Sequence, residues 1–244
     1  MRNVLVTGGS RGLGLAIAIE LARAGYRVIA VARKSTDELT AATRAAAESG
    51  LGAIEFQALD LSDIAGIPAF VRSLRNSVGP IYGLVNNAGL GTGGVLANMR
   101  DDAIEGLIRL NTLAPIVLSK YVAKSMMLER TGRIVNIASI VASTGYSGLS
   151  VYSATKASLL GFTASLAREL GPLGVTVNAV SPGYIATDMT QDLSAEQYEK
   201  IARRSALRRM AEPIDVARSV EFLLGEGARN ITGTNITVDA GNTA

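Results

Sequence analysis

The chain of 244 residues contains no cysteine, no histidine and no tryptophan. Without cysteine there is no disulfide framework, no thiolate nucleophile and no thiolate metal site. Without histidine, imidazole acid–base chemistry and imidazole metal ligation are excluded as well, and no metal centre is expected. Proton chemistry is left to Tyr, Lys, Asp, Glu or a hydroxyl relay. Charge of one sign is also scarce: 24 basic against 21 acidic residues give a net +3. The basic residues are scattered. The densest group, Lys200, Arg203, Arg204, Arg208 and Arg209, reads as a solvated helix face, and no nucleic-acid partner is expected. No stretch reaches the roughly 18 uninterrupted apolar residues of a membrane span. The opening MRNVLVTGGS has no long apolar run of the signal-peptide kind. These absences predict a soluble, cytoplasmic protein with no membrane partner.

What is present is 48% apolar residues and 26 glycines, a globular composition. Strand-like and helix-like runs alternate from end to end. NVLVT (3–7), RVIAVA (27–32), AIEFQALDL (53–61), IYGLVNNAG (81–89), GRIVNIAS (132–139), VTVNAVSPG (175–183) and NITVDAG (235–241) read as strands. Helical patterning covers residues 13–24, about 36–49, 63–78, about 101–130, 150–170 and 213–224. Pro68 is expected to break the third of these early and Pro115 to kink the fourth. Pro213 suits the first turn of the last. This alternation predicts an α/β fold: a Rossmann-like doubly wound parallel sheet of about seven strands with helices on both faces. The strands are nearly continuous Val/Ile/Leu runs, as burial on both faces requires. No low-complexity linker interrupts the pattern, so residues 1–244 read as one domain. The polar stretch at about 184–210 is too long for an ordinary connection and is a candidate substrate lid.

LVTGGSRGLGLAIA follows the first strand and opens the first helix. Gly8, Gly12 and Gly14 give G-x-x-x-G-x-G. Such glycines let the chain turn sharply and let a pyrophosphate approach backbone N–H groups at a helix N-terminus. Thr7, Gly8, Ser10, Arg11, Gly12, Leu13 and Gly14 are the candidate contacts. An NAD site commonly ends the second strand with an acid that bonds the ribose 2′-hydroxyl. Here the strand runs into Arg33 and Lys34. A guanidinium grips a 2′-phosphate that a carboxylate would repel, so NADP(H) is expected over NAD(H), with Arg11 as a second cation. Asp60 and Leu61, after the third strand, are placed against the adenine. Asn87, Ala88 and Gly89, after the fourth, lie where ligands of such sheets bind.

SVYSATKASLLGFTASLAREL (150–170) carries the chemistry. Tyr152 and Lys156, at i and i+4, share one helical face. A nearby ammonium stabilises a phenolate, so Lys156 is expected to pull the Tyr152 pKa toward neutrality. The spacing is a weak signal taken alone. Ser139, at the end of the fifth strand, is placed to hold a carbonyl oxygen beside the phenol; a turn serine and its neighbour Ser143 are the alternatives. Asn111 sits inside the long helix before Pro115, where a structural kink explains it, as does a backbone-held water relaying protons to Lys156.

TGGSRGLG, NNAG, Asn111, Ser139, YSATK and SPGYIATDM stand in the order and spacing of the short-chain dehydrogenases/reductases. The chain resembles that family over essentially its whole length. The resemblance implies a nicotinamide cofactor and a catalytic tetrad of Asn111, Ser139, Tyr152 and Lys156, with Lys156 also bonding the nicotinamide ribose. It implies further that Pro182, Gly183, Ile185 and Thr187 cover the nicotinamide, the last two near its carboxamide. Within the family the wording is most similar to the 3-oxoacyl-acyl-carrier-protein reductases. This implies a ketone or acyl thioester as substrate, an acyl carrier protein as candidate partner, and a homotetramer. Sugar, polyol and steroid dehydrogenases share much of the wording, and a non-catalytic dinucleotide-binding module is the reading from another class. One departure is Leu173, where the carrier-protein reductases often have a basic residue.

Overall fold

The computed structural model describes residues 1–91, 93–185 and 194–244. Seven parallel strands form one sheet in the order β3-β2-β1-β4-β5-β6-β7. They are β1 (Asn3–Thr7), β2 (Arg27–Ala32), β3 (Ala53–Ala58), β4 (Ile81–Asn86), β5 (Gly132–Ile137), β6 (Val175–Pro182) and β7 (Asn235–Val238). The expected doubly wound architecture is therefore observed. The strand order reverses between β1 and β4, which opens a crevice beyond their carboxyl ends.

The helices are α1 (Gly12–Arg23), α2 (Asp37–Ser49), α3 (Ile67–Val78), α4 (Asp101–Ile108), α5 (Ala114–Glu129), α6 (Ser150–Leu170), α7 (Ala195–Arg204) and α8 (Pro213–Leu224). Alternation along each strand divides the core in two. Val4, Val6, Val28 and Ala30 face Ile17, Leu21, Val216 and Val220 of α1 and α8. Leu5, Ile29, Leu84, Ile134 and Val177 face Val71, Leu118, Val122, Met126 and Leu166 of α3, α5 and α6. Burying each such side chain stabilises the fold by about 1.5–3 kcal/mol. With both faces covered, little of the sheet is left to bind ligand except its edges at the strand tips.

One proline reading is corrected and one is refined. Pro68 does not break a helix that began at residue 63. The helix starts at Ile67, and Pro68 lies in its first turn, where its missing N–H costs nothing. Pro115 likewise lies in the first turn of α5. The irregularity of the long helical region precedes it, as a π-helical turn over Arg109–Leu113 that joins α4 to α5 and carries Asn111. Several strands are also shorter than their sequence runs: β3 stops at Ala58, β5 at Ile137 and β7 at Val238. Asp60 and Ser139 are thereby loop residues just beyond strand tips.

Candidate active site

The glycine loop is folded back on β2. Gly8 and Gly9 both donate to the Val31 carbonyl, at 2.8 and 3.3 Å. Gly8 and Gly12 take φ of +65° and +54°, in the left-handed region that side chains avoid. At Gly14 a Cβ would lie 2.1 Å from the Gly8 carbonyl oxygen, so only glycine permits α1 to start this close to the loop. Arg11, the residue before α1, makes no side-chain cap, and the first turn holds no acid. The N-terminal N–H groups and the positive end of the dipole are left for an anion. In front of Gly12 there is open space, with no atom within 4 Å of a built Cβ. These residues fit a dinucleotide pyrophosphate.

Not every loop residue is available to such a ligand. The Thr7 hydroxyl accepts from Asn87 N and Ala88 N at 2.9 and 3.0 Å, and the Asn87 amide donates to the Thr7 carbonyl at 2.8 Å. Thr7 and the Asn87 side chain therefore brace β1 to β4 across the switch point. The Ser10 carbonyl accepts from the Thr36 hydroxyl at 2.6 Å, and Thr36 caps α2. Leu13 is partly buried against the layer under α1 and α8, and Leu61 is buried in the layer on the opposite face of the sheet. Arg11, Arg33 and Lys34 are exposed. Asp60 Oδ1 accepts from both the hydroxyl and the N–H of Ser62, at 2.7 and 2.9 Å. These bonds, with Arg33 adding its charge, hold the Asp60 carboxyl below the usual range. Arg33 and Asp60 stand just past the tips of the paired strands β2 and β3.

Lys156 is buried and its Nζ donates to the Ile137 carbonyl at 2.8 Å. The same nitrogen stands 5.8 Å from the centre of the Tyr152 ring. Gly89 is beside it: a Cβ there would be 3.2 Å from Asn111 Oδ1 and 3.6 Å from Lys156 Nζ. Asn111 is buried; its Nδ2 donates to the Leu90 carbonyl and its Oδ1 accepts from Leu90 N–H, both at 2.8 Å. The amide also reaches the Thr155 hydroxyl at 3.2 Å, and that hydroxyl donates to the Tyr152 carbonyl at 2.7 Å. Asn111 therefore links the β4 loop to α6. Its π-helical setting is a frequent mark of functional positions. Ser139 caps a short 3-10 turn over Ile140–Ala142 and lies within hydrogen-bonding reach of Tyr152. Ser143, the rival serine, spends its hydroxyl on the Ile140 carbonyl.

The electrostatic expectation for the pair is overturned. Burial pushes the Tyr152 phenol up from its ordinary value, with the Ser139 hydrogen bond pulling the other way. Burial likewise pushes Lys156 down to about 8. Desolvation is the leading cause at both groups, because removing a charge from water is costly, and neither shift draws on the other group. At neutral pH Tyr152 is a neutral phenol, a proton donor. Lys156 has become the stronger acid of the two.

Pro182 ends β6, Gly183 donates to the Val238 carbonyl at 2.9 Å, and Ile185 bridges to Ala211. Thr187 falls outside the described residues. Sequence reading missed Thr155 and Tyr146. The Tyr146 ring, in the loop joining Ser139 to Tyr152, meets Tyr184 edge to face with centroids 6.2 Å apart. Only its place in that loop could have drawn notice.

A family model described as short chain dehydrogenase matches residues 2–198. The chain belongs to the short-chain dehydrogenase family. It is accordingly an oxidoreductase that interconverts carbonyl and alcohol groups with a nicotinamide dinucleotide. It is 40% identical over 239 residues to the 3-oxoacyl-[acyl-carrier-protein] reductase FabG of Haemophilus influenzae, covering 97% of this chain and 96% of that one. The protein of the same name from Pseudomonas aeruginosa is 38% identical over 239 residues, 97% of this chain and 95% of that one. Among solved structures, a Burkholderia cenocepacia short-chain dehydrogenase in complex with NADP superposes with a TM-score of 0.90 at 36% identity, over 100% of this chain and 98% of that one. A Serratia marcescens short-chain dehydrogenase/reductase gives 0.91 at 32% identity, with the same coverage. Among the described residues, no helix is long and apolar enough to cross a membrane and no cluster of acidic side chains could hold a metal.

The buried amine carries a stability signature. A lysine whose folded pKa lies near 8 rather than 10.5 leaves the unfolded chain holding more protons between those values. Stability from this group therefore rises with pH through that window and is lost as pH falls through about 8. The swing is roughly 3 kcal/mol. In thermal melts, Lys156→Met is expected to abolish that rise and to melt higher than the native protein at neutral pH; parallel pH profiles for the two would contradict it.

Proposed function

We propose that the protein is an NADP(H)-dependent reductase of 3-oxoacyl thioesters, with Asn111, Ser139, Tyr152 and Lys156 as its working residues. The observation that carries the reading is the trio past the tip of β5: a half-buried neutral phenol, a half-buried serine that hydrogen-bonds it, and a buried amine driven to about 8. The bound reduced cofactor supplies the hydride. Tyr152 gives its proton to the oxygen of the carbonyl as negative charge develops there, and Ser139 holds that oxygen. The resulting phenolate is the stronger base, so proton transfer to it from the Lys156 ammonium runs downhill. Gly89 leaves room beside Lys156 Nζ, and Asn111 holds the loop that carries it. The protein's contribution is positioning and a dry, oriented set of donors.

The choice of NADP(H) is supported by exposed Arg33 at the tip of β2 and by Arg11 in the glycine loop, with no acid ending β2. The thioester is supported by the names of the relatives. On the same reading residues 1–244 act as one catalytic unit, with 184–210 as the lid over the substrate. It works in the cytoplasm as a homotetramer. An exposed apolar groove between Leu96, Ile104, Ile108 and Val151 suits an interface between copies.

Tyr152→Phe is expected to leave the NADPH dissociation constant nearly unchanged and to cut kcat by at least about a hundredfold. Turnover near the native rate would remove Tyr152 from the reaction. Arg33→Asp is expected to raise KM for NADPH about tenfold or more and to narrow its advantage over NADH. An unchanged ratio of kcat/KM for the two cofactors would refute the 2′-phosphate assignment.

A further inference from the structure

A seam of hydroxyl groups joins the π-helical turn to α6, and the proposed chemistry leaves it unused. Thr155 is buried one residue before Lys156, and Ser158 follows three residues along the same face of α6. Opposite them stand Asn111 and Thr112 of the π turn. The Ser158 hydroxyl donates to the Thr155 carbonyl at 2.6 Å and pairs with the Thr112 hydroxyl at 2.9 Å. A serine hydroxyl has one proton, and here the carbonyl takes it, so Thr112 is the donor of that pair.

The same reasoning fixes the role of Thr155. Its one proton goes to the Tyr152 carbonyl at 2.7 Å, which leaves its oxygen to accept. The donor it meets, at 3.2 Å, is Asn111 Nδ2. One Nδ2 hydrogen is directed to the Leu90 carbonyl and the other to Thr155, while Oδ1 accepts from Leu90 N–H. Every hydrogen-bonding group of this amide is thereby answered in the order that suits it. Asn111 is 1% and Thr155 2% exposed, so bulk water does not replace a lost partner. Leu90 adjoins Gly89, whose built Cβ would lie 3.6 Å from Lys156 Nζ. The chain of contacts thus runs from α6 through Thr155 and Asn111 to the loop that lies against the amine.

We propose that Thr155 is a positioning residue, whose hydroxyl, aimed by the Tyr152 carbonyl, holds the Asn111 amide and with it the Gly89–Leu90 loop beside Lys156. The inference rests on the reading of Asn111, Tyr152 and Lys156 as working residues, and it names what keeps them in register. Valine has nearly the shape of threonine without the hydroxyl. It would leave a buried Nδ2–H of Asn111 without an acceptor, a strain relieved by turning or shifting the amide, and the loop bonded to that amide would move with it. Serine keeps the hydroxyl and therefore the bond.

The test is a double-mutant cycle on kcat, with NADPH and an acetoacetyl thioester, or with a simple 3-oxo ester if thioesters are not reduced. Thr155→Val is expected to lower kcat about tenfold with little change in KM for the carbonyl substrate, and Thr155→Ser to restore most of the loss. If the valine variant does not fold, Thr155→Ala removes the same bond. Because Thr155 acts through Asn111, the variant carrying both Asn111→Ala and Thr155→Val should be no slower than Asn111→Ala alone. Losses that multiply in the double variant, a native kcat for Thr155→Val, or no rescue by serine would overturn the inference, while an inactive Tyr152→Phe would leave the catalytic reading standing. Native turnover in both Tyr152→Phe and Asn111→Ala would overturn that reading and this inference together.

Discussion

Everything in the site depends on placing an ammonium where water cannot reach it. Lys156 is buried at the carboxyl end of β5, with a backbone carbonyl as its hydrogen-bond acceptor. Such a group is costly to hold in its charged form, and the cost appears as an amine pushed down to about 8. The same dryness raises the neighbouring phenol. One physical cause thus orders the two acids, and on the proposed mechanism Tyr152 is the neutral donor and Lys156 behind it restores the proton.

The fold supplies the rigidity that such a placement needs. Directly behind the strand tips, Asn86 of β4 donates to Asn136 of β5 at 2.8 Å and to Ser119 of α5 at 3.0 Å, while Asn136 donates to Thr163 of α6 at 2.8 Å. This buried network ties two central strands to α5, which follows the turn that carries Asn111, and to α6, which carries Lys156. Polar networks of this kind penalise misregistered packing, because any slip strands a buried donor. At the neighbouring switch point the Thr7–Asn87 brace does the same for the glycine loop and the β4 tip. The cofactor crevice and the proton-transfer residues are consequently referenced to one frame.

Much of this was legible in the residues. Parallel strands announce themselves as Val/Ile/Leu runs, and the glycine pattern, Arg33, Tyr152 and Lys156 all carry their chemistry in their spacing. What escaped was whatever depends on the third dimension. Pro68 read as a break, because sequence alone does not say that a helix starts one residue earlier. The π turn around Asn111 has no sequence periodicity of its own. The direction of the Tyr152 shift was misjudged for a related reason: an i, i+4 spacing reports that two groups are near, while their burial is decided by β5, the β4 loop and the rest of α6. Tyr146 gained meaning only once the tip of β6 brought Tyr184 to it.

The most direct measurement follows the Lys156 side chain itself, by NMR titration of its labelled Cε in the cofactor-free protein from about pH 6 to about pH 11, assigned by its loss in a Lys156 variant. The account predicts a midpoint near 8 for this lysine. A Lys156 midpoint at the ordinary value of 10.5 would mean that the amine is solvated, and the ordering of the two acids on which the mechanism rests would be wrong.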